Sequence, residues 1–215
     1  RRDVSMSPYT DGRRKLQPWP SRSTDLGNAG RLVRGFGSDI RYCPSLKSWL
    51  YWDEERGVWT FDATQRIFEY ARRTIEGIWE DSRDRRFDED QRKAFAKWAA
   101  QSERRRSIES MVALAEHETG IPICTSELDT QDWAFVVSNG HLDLSDKAWI
   151  AGKTGPRLRA HDRNALSTQC SPVEFDPEAE CPVWMEFLRF VLSAEDDGEI
   201  TERPDLVDFV QEAVG

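Results

Sequence analysis

A chain of 215 residues that is 38% hydrophobic and 32% charged, with a net charge of −9, can hold one large domain or two small ones. It has no run near the roughly 20 apolar residues of a membrane span, no apolar segment behind its first two arginines to serve as a signal peptide, and four scattered cysteines that form neither a metal-type pair nor a disulfide scaffold. A reduced, cytoplasmic protein is expected. The charge is uneven, with 11 Lys and Arg against 7 Asp and Glu in residues 1–60, 17 against 20 in residues 61–175, and 2 against 12 in residues 176–215. Nonspecific duplex binding over the whole surface is therefore not expected, but a local basic face in the first third is compatible with the count.

Residues 1–23 are rich in Arg, Ser and Pro without an apolar period and read as a linker. The lack of an initiator Met suggests a piece of a longer protein. Ser23-Thr24-Asp25 offers a helix cap, and Ala29, Leu32, Val33 and Phe36 give a short apolar stripe that Gly35 and Gly37 end. Residues 40–44 read as a short strand. Residues 47–53 and 57–61, with alternating aromatics around an Asp-Glu-Glu-Arg-Gly turn, read as a β-hairpin. Asp62 then caps a long helix through about Glu80, carried by Ile67, Phe68, Ala71, Ile75, Ile78 and Trp79. The polar run Asp81–Asp88 breaks it. A second helical stretch runs from about Glu89 to His117, and its polar middle, Gln101–Arg106, allows a division into two helices.

Gly120-Ile121-Pro122 closes the helical half. Residues 133–137 form a strand, Asn139-Gly140 a turn and residues 141–144 the return. A further ribbon or loop is expected around Trp149-Ile150 and Thr154-Gly155, then His161-Asp162. Cys181-Pro182-Val183 starts a helix with Trp184, Phe187, Leu188, Val191 and Leu192 as its apolar side, which Asp196-Asp197-Gly198 ends. Pro204 to Val214 is a last short helix.

Catalytic constellations are missing from this pattern. There is no G-x-x-x-x-G-K-[ST] loop to cradle phosphate, the glycines are too scattered for a dinucleotide fingerprint, and His117, His141 and His161 have no ligand spacing with acids or cysteines. No catalytic residue, metal ligand or cofactor is assigned to these residues. What remains is a mixture of cations and flat side chains, Arg31, Arg34, Arg41, Tyr42, Lys47, Trp49 and Trp52. Such a mixture suits single-stranded nucleic acid, where cations follow phosphates and rings stack on bases. The triple Arg104-Arg105-Arg106 is a second candidate contact. Alternative readings stand beside these. Trp49, Trp52 and Trp59 could be core anchors, Arg31 and Arg41 could pair with Asp25, Asp39 or Asp53, and a run of arginines on a helix could be a solvated face.

Several segments, in order, resemble one family. Thr24-Asp25-Leu26-Gly27-Asn28-Ala29-Gly30-Arg31, Arg41-Tyr42, Trp49-Leu50-Tyr51-Trp52-Asp53 and Trp59 are similar to the opening of the helical domain that precedes the superfamily-three helicase in phage, plasmid and poxvirus primase–helicases. Asn139-Gly140-His141-Leu142-Asp143-Leu144 resembles that domain's Asn-Gly-x-x-Asp-Leu element. Leu166-Ser167-Thr168, Phe175-Asp176-Pro177, Cys181-Pro182 and Trp184-x-x-Phe187-Leu188 resemble its closing segment. The resemblance spans about residues 24–215. It implies a helicase-preceding domain whose helicase core lies outside the given residues, within a parent that uses ATP and magnesium to drive a hexameric ring on DNA.

The expected architecture is α+β, mainly α, a helical bundle with an N-terminal aromatic β-hairpin and a second small β-ribbon. Two functions are expected. One is an accessory domain that binds single-stranded or forked DNA through Arg31, Arg34, Arg41, Tyr42, Lys47, Trp49, Arg104, Arg105 and Arg106 and links priming to unwinding. The other is a structural module that docks to the helicase ring or primase without direct DNA contact.

Overall fold

A computed structural model describes residues 23–145, 157–196, 199–201 and 203–214. The architecture is α+β, and the chain divides into two compact units, Arg1–Phe175 and Asp176–Gly215. No helix among the described residues is long and apolar enough to cross a membrane.

The first unit begins with α1 (Asp25–Phe36), whose first turn is closed by the Thr24 hydroxyl accepting the Gly27 amide at 3.1 Å. A three-stranded antiparallel sheet follows, β1 (Ile40–Cys43), β2 (Ser48–Asp53) and β3 (Val58–Phe61). In the β2–β3 turn the Asp53 carboxylate accepts the amides of Glu55 and Arg56 at 3.0 and 3.1 Å. Gly57 closes that turn at φ +64°, and a Cβ there would lie 2.0 Å from the His161 ring, so conformation and space both require glycine.

This sheet is buried on both faces, which accounts for its aromatic density. Side chains alternate along β2. Trp49 and Tyr51 join the helical core of Leu32, Phe36, Ile75 and Met111. Leu50 and Trp52 turn the other way and pack with Cys43, Trp59 and Ile123, under Leu128 and Leu166. Both sheet edges are covered. Tyr42 exchanges backbone hydrogen bonds with Ile121 and Ile123, each 2.9 Å, along β1, and the Trp59 amide donates to the Ser167 carbonyl at 2.8 Å along β3.

The helices are α2 (Ile67–Asp81), α3 (Glu89–Ser102) and α4 (Arg105–Ala115). Asp62 does cap α2, from five residues outside it, by accepting the amides of Arg66 at 2.7 Å and Ile67 at 2.8 Å. Asp88 and Gln91 form a reciprocal capping box on α3. The polar middle of the second helical stretch is a true break, since α3 ends at Ser102 and α4 starts at Arg105. Buried Asn28 ties α1 to α3 by donating to the Ser102 hydroxyl at 2.9 Å and accepting the Trp98 indole N–H at 3.0 Å.

A second three-stranded sheet contains β4 (Ala134–Val137), β5 (Gly140–Asp143) and β6 (Arg157–Arg159). Two details differ from the expected ribbon. Val137 pairs with Gly140, so the connecting residues are Ser138-Asn139 and Gly140 already belongs to the strand. A Cβ on Gly140 would meet the Arg159 carbonyl at 2.2 Å, so glycine there admits the third strand. The Asn139 amide turns outward and binds both the N–H and the C=O of Phe175, at 3.0 and 2.9 Å. The expected features around Trp149-Ile150 and Thr154-Gly155 lie outside the described residues, as does the linker of residues 1–22.

The second unit holds α5 (Pro182–Leu192), a small hairpin of β7 (Ala194–Asp196) and β8 (Glu199–Thr201), and α6 (Pro204–Val214). Helix α5 therefore stops at Leu192, short of the expected Asp196-Asp197-Gly198 signal, and Asp196 belongs to β7.

Candidate nucleic-acid interface

The arginines and aromatics expected to share one surface are distributed between the interior and the exterior. Arg31 is only 4% exposed, and its Nη1 donates to Asp81 Oδ2 at 3.0 Å, with Phe95 6.0 Å from its guanidinium carbon. Its place on the first helix turns it into the core, toward an acid 50 residues away rather than to Asp25, Asp39 or Asp53. Arg41 is half-buried. Its Nη1 donates to the carbonyls of Gly37 at 2.5 Å and Ile40 at 2.7 Å, while its guanidinium lies 4.7 Å from the Trp59 ring. Burial lowers its pKa, partly countered by the nearby Asp39 charge. Trp49 is 8% exposed and packs on half-buried Tyr42 with ring centroids 5.2 Å apart. Trp49, Trp52 and Trp59 of the sheet are thus core anchors, as two-sided burial of a short strand demands.

Arg163, which the sequence reading does not single out, organises the outer face of this sheet. Its guanidinium sits 5.0 Å from the Trp52 ring, pairs with Asp39 at 3.3 Å and binds Glu54. Its carbonyl accepts the Trp59 indole N–H at 2.8 Å. No local signal marks it, because its partners lie more than 100 residues earlier in the chain. Beside it, a cavity of about 360 Å³ is lined by Asp39, Trp52, Asp53, Glu54, Arg66 and Tyr70, among others. An acid-rich mouth of that kind does not attract a phosphate backbone.

The remaining candidates face outward. Arg34 is exposed in the last turn of α1, where a cation suits the helix C-terminus. Lys47 is exposed in the β1–β2 turn at φ +49°. Arg104, Arg105 and Arg106 are contiguous and all exposed at the start of α4. Arg104 is the N-cap residue, with extended backbone and no side-chain cap, and the first turn of α4 carries no acid. Only Arg105 is drawn along the helix, its Nε donating to Glu109 at 2.7 Å, an interaction that raises its pKa. The neighbouring Glu103 is held away by accepting the Trp79 indole N–H at 2.8 Å. Trp79 itself lines a shallow groove of about 410 Å³ with Glu76, Glu80 and Arg83.

Among the described residues no group of three or more His, Cys, Asp or Glu side chains is placed to hold a metal ion. All four cysteines are free. A family model described as D5 N terminal like matches residues 29–193. A search of curated proteins finds no match.

Proposed function

The chain belongs to the D5 N terminal like family, domains of primase–helicase-type proteins, and from that premise we propose that it is an accessory domain that contacts single-stranded or forked DNA and links priming to ATP-driven unwinding. Its neighbours in a phage-type parent are the primase domain and the helicase core. ATP and magnesium act at the parent's hexameric helicase ring, and this domain performs no bond-breaking step of its own.

The start of α4 carries this reading. The first amides of a helix lack intrahelical partners, and its N-terminus is the positive end of the macrodipole. Stability favours acids there, and α3 follows that rule with Asp88, Glu89 and Asp90. Helix α4 instead begins with three exposed arginines and no side-chain cap. Local folding gains only the exposed Arg105–Glu109 pair from that choice, whereas a phosphate placed there would meet both the helix end and the guanidinium groups. Arg34 and Lys47 extend the contact from separate elements. Arg31, Arg41, Tyr42 and Trp49 support it by holding the sheet and helices in place.

Fluorescence anisotropy of a labelled single strand and of a fork, at low salt, tests the reading. The wild type is expected to bind, and Arg104→Ala/Arg105→Ala/Arg106→Ala to lose about tenfold or more in affinity, in keeping with the loss of about three phosphate contacts. Equal affinity of the two proteins would refute it.

A further inference from the structure

The unit Asp176–Gly215 exposes more apolar surface than its own folding uses. Going round α5 at about 100° per residue, Phe190, Val183, Phe187, Val191 and Trp184 fall in that order across an arc of roughly 120°, and Leu188 continues it. Leu188 is buried, but the five before it are open, with Val183 at 79% and Phe190 at 76% exposure. Trp184 and Phe187 stack with ring centroids 5.5 Å apart, so these side chains form one joined surface. Single exposed hydrophobic residues are ordinary; a contiguous aromatic and branched face on one helix marks an interaction site.

Charge selects the occupant. Residues 176–215 contain 12 acids and 2 basic residues. Glu186 borders the open arc beside Phe190, whereas Arg189 falls on the polar side of the helix. Exposed Asp176, Glu178 and Glu180 lead into α5, and exposed Asp205 and Asp208 stand on α6. A second copy laid on this face would bring the same acids together, and an anionic membrane surface would be repelled in the same way.

We propose that the open face of α5 receives an amphipathic helix of a partner protein whose apolar stripe is flanked by Lys or Arg. The proposal does not depend on DNA contact at α4, because it uses a different unit and a different chemistry.

The whole chain is titrated with two labelled peptide helices about five turns long that share one leucine stripe, one with lysine flanks and one with glutamate flanks. The lysine-flanked helix is expected to bind, and the glutamate-flanked helix to bind about tenfold more weakly or less. Phe187→Ser/Phe190→Ser should lower the affinity by about tenfold with an unchanged circular dichroism spectrum, since both side chains are exposed. Phe187→Asp/Phe190→Asp should lower it as well, although it adds negative charge. Equal binding of the two helices, full binding by both variants, or self-association or capture of anionic vesicles through this face without binding of the basic helix would overturn the proposal.

Discussion

Arg31 and Arg104 are the same residue type, yet one is a buried strut and the other an open cation. The Arg31–Asp81 pair at 3.0 Å leaves Arg31 4% and Asp81 25% exposed. Burial raises the Asp81 pKa above its ordinary 3.8, opposed by the hydrogen bond and charge of Arg31. A carboxyl whose native pKa exceeds its unfolded one weakens the fold at pH above both values, and that penalty lifts as pH falls through the interval between them. Asp81→Asn copies the protonated acid: it removes the carboxylate charge and keeps a side-chain oxygen that can accept from Arg31. At pH 7 it is therefore expected to match or slightly exceed the wild type in stability, read as a urea midpoint. The difference from wild type should shrink as pH falls through the native Asp81 pKa, where both side chains are neutral; a variant clearly less stable than wild type at pH 7, or a difference that grows with acid, would contradict the assignment. The sequence marks Arg31 as a cation on a helix but not which way it points. Its partner lies 50 residues away, and only the packing of α1 against the end of α2 brings the two together.

At the level of elements, local chemistry was readable and long-range pairing was not. Thr24 and Asp62 act as the caps expected of them, because a cap is set by residues a few places apart, and the Asp88 box on α3 is as local although in the sequence the polar run reads only as a break. The helix break after Ser102 and the β2–β3 hairpin were equally local. Strand β6, the cover of Ile121–Ile123 on β1 and the Arg163 cluster were missed, since each depends on a partner remote in sequence. The Asn139-Gly140 pair was recognised as a turn, but the third strand moves Gly140 into the sheet. Asp62 offers a direct check on the cap. It holds two amides at the start of α2, so Asp62→Ala should cost about 1 kcal/mol and speed hydrogen exchange at Arg66 and Ile67 while leaving α3 amides unchanged. Uniform acceleration across α2 and α3 would mean that Asp62 supports the whole unit and not one helix end.

For the whole molecule, a net charge of −9 conceals a separation of roles. The first unit buries Trp49, Trp52 and Trp59 in a sheet covered on both faces and leaves a group of arginines open at the start of α4. The second unit concentrates acid around an open apolar helix face. Composition alone placed the basic face among residues 1–60, because that third has the positive excess; folding draws Arg31 and Arg41 inward and leaves Arg104–Arg106 outside. The most direct test of the central claim, that DNA is held by the arginines opening α4, is the salt dependence of single-strand binding. Plotted as log affinity against log salt, the triple Arg104→Ala/Arg105→Ala/Arg106→Ala protein should give a slope shallower than wild type by about 2, from about three phosphates at roughly 0.7 each. An unchanged slope, with the wild type still binding, would place the DNA contact elsewhere and contradict the account.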